Sequence, residues 1–101
     1  MTQKNPKSPN LERLIEDEWD IICDLKNTMT KPELSMDEKL RAANAYAYHA
    51  SVLSKLLAQK GADAHLDETT LGDFIKGVEP RVARFVLVKF RCRMRKPSSK
   101  K

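Results

Sequence analysis

A chain of 101 residues, 41% hydrophobic, 33% charged and 6% aromatic, has the size of one small domain. Such a chain buries only about 60 to 65% of the surface its unfolded form exposes, so a second copy or a partner would add useful apolar contact. No run approaches the roughly 20 apolar residues of a membrane-spanning helix. The N-terminal stretch Met1-Thr2-Gln3-Lys4-Asn5-Pro6-Lys7 leads into an acidic segment rather than a signal-peptide apolar region. A soluble chain is expected, cytoplasmic or otherwise intracellular, nucleoid and nucleus included. Cys23 and Cys92 lie 69 positions apart with no neighbouring thiol, a spacing that makes neither a disulfide framework nor a metal site, and both are expected to be reduced.

The formal charge of +5 is the sum of two unlike regions. Residues 1–78 hold 10 Lys and Arg against 13 Asp and Glu, a net of −3. Residues 79–101 hold nine basic residues against the single acid Glu79, a net of +8. A chain so polarised attracts a polyanion or an acidic protein surface through its C-terminal end.

Residues 1–9, with Pro6 and Pro9 and only Met1 apolar, bury too little to offset ordering entropy and are expected to form a disordered tail. Asn10 is a good N-cap. After it Leu11, Leu14, Ile15, Trp19, Ile22 and Leu25 recur at spacings of three and four among Glu12, Glu16, Asp17, Glu18 and Asp20, which predicts an amphipathic helix to about residue 27. Its acids sit in the early turns, where they complement the helix dipole.

Residues 28–34 read as a loop, and Ser35-Met36-Asp37-Glu38 matches a capping box. A second helix then runs from 36 to 60, stopped by Gly61. Met36, Leu40, Ala43, Ala47, Ala50 and Leu57 make one stripe on it, and Ala42, Tyr46, His49, Leu53 and Leu56 an adjacent one. A face that wide needs more than one packing neighbour. The alanines allow another helix to come close, whether as plain core packing or as a seam between two copies. Trp19, Ala43, Ala47, Ala50 and Leu57 are the candidate oligomer or partner contacts.

Residues 62–66 form a connector, and Asp67 or Thr69 caps a short third helix through Leu71, Phe74, Ile75 and Val78, weakened by Gly72 and Gly77. Pro80 suits the first position of a final helix. Two periods compete there: Val82, Phe85, Val86, Phe90 and Met94 suit a helix, whereas Val88, Phe90, Cys92 and Met94 alternate with basic residues as in a half-buried strand. Helix is preferred, because a lone strand has nothing to pair with. The expected fold is therefore all-α, with a long antiparallel helical hairpin over 10–60, a short helix and a basic C-terminal helix within 67–95, and a basic disordered tail over 96–101.

Enzyme constellations are thin. His49 and His65 lack the paired His or Cys spacing of a zinc site, the three glycines are scattered rather than gathered in a phosphate loop, and Cys92, though set among arginines, has no base or oxyanion site by motif. Acid pairs such as Asp17 with Asp20 fit a solvated helix face. A non-enzymatic protein without cofactor or metal is expected. What survives is the basic segment, where arginine outnumbers lysine five to one within residues 81–95. Arginine suits bidentate contact with phosphates, base edges or carboxylates. Arg81, Arg84, Lys89, Arg91, Arg93, Arg95 and Lys96 are the candidate nucleic-acid contacts, for DNA slightly ahead of RNA.

The order of a short helix, a turn at Glu79-Pro80 and a basic helix suits a helix-turn-helix. The run Glu79-x-x-Val82-x-x-Phe85-Val86 followed by arginines resembles a homeodomain recognition helix over about a sixth of the chain. It departs from that family at Val88, where the resemblance implies an adenine-reading asparagine, and at Phe90, where it implies an arginine, so no family is assigned. The alternative function is a small accessory or regulatory subunit of a larger assembly, in replication, transcription or a phage, docking on an acidic protein partner.

Overall fold

The computed structural model describes residues 10–61 and 66–95. Four helices follow one another with no strand among the described residues: α1 (Leu11–Met29), α2 (Met36–Lys60), α3 (Glu68–Phe74) and α4 (Pro80–Met94). The fold is all-α, as expected. The tails over 1–9 and 96–101, with Lys96, and most of the connector, with His65, lie outside the described residues.

Local chemistry sets the helix starts. Asn10 Oδ1 accepts from the Arg13 amide at 2.8 Å. At Ser35 the capping box is complete: the Glu38 amide donates to Ser35 Oγ at 3.2 Å and the Ser35 amide donates to Glu38 Oε1 at 2.9 Å. Asp67 rather than Thr69 caps α3, accepting from the Thr70 amide at 2.9 Å. Pro80 opens α4, where no side chain caps the first turn.

Two helix ends differ from the sequence expectation. α1 continues two residues past 27 because Met29 extends the seven-residue spacing of Ile15 and Ile22 and is buried in the core. α3 stops at Phe74, yet Ile75 and Val78, expected on the helix, are still buried from the turn that follows. That turn, which contains Gly77, reverses the chain into Pro80.

α2 lies between α1 and α4 and packs against both, which accounts for the width of its apolar face. The hairpin is antiparallel, since Glu12 meets Lys60 at 3.6 Å and Glu18 meets His49 at 2.8 Å. Leu40 and Asn44, on another side of α2, share a recess with Phe85 of α4. The core gathers Ile22, Tyr46, Leu53, Leu71, Val82, Val86 and Phe90, among others. α3 packs on α4 and also reaches α1, where Phe74 meets Trp19 edge-on with ring centroids 5.0 Å apart.

Ala43, Ala47 and Ala50 are each 0% exposed within the single chain. They serve the chain's own core, and a second copy cannot reach them while the helices stay packed, which corrects their assignment to an oligomer or partner interface. Of the five proposed contacts only Trp19, 38% exposed, and the half-buried Leu57 reach the surface.

Candidate nucleic-acid interface

α4 turns one face to the core and the other to solvent. Val82, Val86 and Phe90, four residues apart, are buried. Val88, Cys92 and Met94, which make the sequence alternate like a strand, are exposed. The alternation is therefore not a burial pattern, and the helical period alone accounts for the packing.

The solvent face carries Arg81, Arg84, Arg91 and Arg95 at intervals of three, seven and four, all exposed, with Val88 at 46% exposure between them. These intervals stack side chains along one side of a helix, forming a stripe about 21 Å long at 1.5 Å per residue. Arg81, Arg84 and Arg95 make no ion pair among the described residues. An open recess of about 300 Å³ lies between Pro80, Arg81 and Arg84, beside the positive end of the α4 dipole.

Arg91 is already engaged. Its Nε and Nη2 donate to the two oxygens of Glu68 on α3, both at 2.9 Å. The bond to Arg91 holds the Glu68 carboxyl below the ordinary glutamate range, and the same bond pushes the Arg91 guanidinium up. Arg91 thus holds a planar carboxylate of the chain itself in bidentate fashion.

The remaining candidates point elsewhere. The Lys89 ammonium lies 5.4 Å from the Phe85 ring centroid, and the Arg93 guanidinium lies 5.1 Å from that of Tyr48 on α2, a ring 47% exposed. The seven cations proposed from sequence thus divide into a stripe of four, two stacked on aromatic rings, and Lys96 outside the described residues.

The acids of α1 lie across α2 from this stripe, with Glu12, Glu16, Asp17, Asp20 and Asp24 exposed. Sequence reasoning missed three polar pairs, Glu68 with Arg91, Glu18 with His49 and Glu12 with Lys60, because the members of each are more than twenty positions apart. Among the described residues no three His, Cys, Asp or Glu gather as a metal site, Cys23 and Cys92 are unpaired and exposed, and no helix is long and apolar enough to cross a membrane. Comparison with protein-family models, curated proteins and solved structures finds no match.

Proposed function

We propose that this protein binds nucleic acid without catalysis, laying the solvent face of α4 along a phosphate backbone. The observation that carries the reading is the exposed row Arg81, Arg84, Arg91 and Arg95, three of whose members have no acidic partner among the described residues. Cations spaced along a rigid helix displace the counterions condensed on phosphates, which drives binding and makes it salt-dependent. The acidic face on the other side of the bundle repels the same polyanion and so orients the protein.

The test is binding to a labelled duplex of about 30 base pairs, several times the stripe's length at roughly 3.4 Å per base pair, and to the matching single strand, across a salt series. Arg84→Gln and Arg95→Gln should each lower the slope of log affinity against log salt by about 0.9, the increment of one phosphate contact. Lys55→Gln, an exposed lysine on α2, should leave it unchanged. Slopes that do not respond to either arginine would overturn the reading.

A second reading, docking on an acidic protein surface, is favoured by one contact: Arg91 already grips a carboxylate. Failure to bind either nucleic acid at low salt would favour it.

A further inference from the structure

The arginine stripe has a counterpart across the molecule. On α1, Glu12, Glu16, Asp20 and Asp24 recur every four residues and are all exposed, an interval that brings side chains together along a helix. They make a gently winding acidic row about 18 Å long at 1.5 Å per residue, close to the length of the arginine stripe. Glu16, Asp20 and Asp24 make no ion pair among the described residues, and Glu12 meets Lys60 at 3.6 Å. Three unpaired acids on one flank thus match the three unpaired arginines, Arg81, Arg84 and Arg95, on the other.

An apolar groove of about 250 Å³ adjoins the acidic row, walled by Ile15 and Trp19 of α1 with Leu53, Leu57 and Phe74. Glu12 and Glu16 precede Ile15 and Trp19 by three residues, which puts both acids on the α1 rim of the groove. Trp19 stays 38% exposed there. The stripe on α4 has the complementary make-up: Val88, 46% exposed, follows Arg81 and Arg84 and precedes Arg91 and Arg95. A basic row with an apolar centre thus answers an apolar groove with an acidic rim. Because α2 separates the two flanks, one molecule cannot bring its own stripe to its own groove.

We infer that the acidic flank of α1 and its groove receive the α4 stripe of a second copy of this chain, Val88 over the groove and arginines on the acids. The charges select the symmetry as well. A two-fold dimer through either flank sets like charges against each other, which is unfavourable. Only a head-to-tail junction pairs unlike flanks, and it leaves one stripe and one acidic flank free at the ends, so further copies add in an open chain or a ring. The inference does not rest on α4 binding nucleic acid, although both uses occupy the same stripe and so exclude each other.

The test is sedimentation velocity of the full chain, freed of nucleic acid and kept reduced because Cys23 and Cys92 are exposed. Salt of about 0.01 M and about 1 M takes the screening length from roughly 30 Å to roughly 3 Å. The expected result is a mass that climbs with protein concentration at low salt and returns to the monomer at high salt. Two variants separate the flanks: Glu16→Gln with Asp20→Asn and Asp24→Asn, and Arg81→Gln with Arg84→Gln and Arg95→Gln. All six positions are exposed, and circular dichroism checks that each variant keeps its helices. Loss of three exposed pairs should weaken self-association of either variant by roughly tenfold or more. Mixed in equal amounts, the two variants retain one intact flank each and should form a one-to-one dimer that grows no further. A monomer at every concentration in low salt, association that survives high salt or either set of substitutions, or a mixture that stays monomeric would each overturn the proposal. Any of these leaves the nucleic-acid reading standing, since the α1 variant keeps every arginine of the stripe for the duplex assay.

Discussion

Tyr46 carries the one buried side-chain polar atom that lacks a hydrogen-bond partner among the described residues, a phenol oxygen in the core near Ile22 and Cys23. In the folded protein that hydroxyl costs free energy, so Tyr46→Phe should raise unfolding stability by about 1 kcal/mol, the penalty of one unsatisfied buried hydroxyl. Urea denaturation checks it, and a loss of stability would mean the oxygen does find a partner. The pH dependence follows from the same burial. An acid whose pKa is raised in the fold contributes stability that is whole below its unfolded value and lost as pH rises above it. Alkaline weakening is therefore expected to set in above about pH 10, and to be smaller in Tyr46→Phe. His49, by contrast, has its polar need met by Glu18 at 2.8 Å, which fits a satisfied packing residue rather than a ligand. The stripe that holds His49 was visible in the sequence, but Glu18 as its partner was not, because only the antiparallel pairing of α1 with α2 brings positions 31 apart together.

Between elements, the link with functional weight joins α3 to α4 through Glu68 and Arg91. It occupies one of the four stripe arginines with an internal carboxylate, which competes with any phosphate for that guanidinium. Glu68→Gln should release Arg91, strengthen duplex binding a few-fold and steepen the salt slope by about 0.9. An unchanged slope in the same salt series would mean that Arg91 does not reach the backbone. The sign of the acid dependence agrees with this. The Glu68 carboxyl is held below its ordinary range by Arg91, so the pair contributes stability above the unfolded value and loses it as pH falls through the folded one. Both members are exposed, and water screens the bond. The helices themselves were legible because their start signals are local: the Asn10 cap, the Ser35 and Glu38 box, and Pro80. α3 was the least legible, since seven residues with Gly72 among them carry little periodicity.

For the whole molecule, α4 is both binding surface and structural support. Ending the chain at Val78 would remove the arginine stripe but also Val82, Val86 and Phe90 from the core. Each such loss alone costs about 1 to 5 kcal/mol, against a total stability of about 5 to 15 kcal/mol for a small domain. The truncated chain should therefore lose its cooperative thermal transition by circular dichroism; a sharp melt would show instead that α1 to α3 hold together without α4. The charge layout belongs to the same scale, with acids on α1 and arginines on α4 separated by α2. By itself the sequence determined the number of helices, most of their limits and the polarity of charge, because caps, the helical period and composition act over a few residues. Only the tertiary structure decided which alanines are enclosed, which arginines share a face and which are stacked or paired, and where the Tyr46 hydroxyl is stranded. Those outcomes depend on which helix faces which, and packing between distant segments settles that.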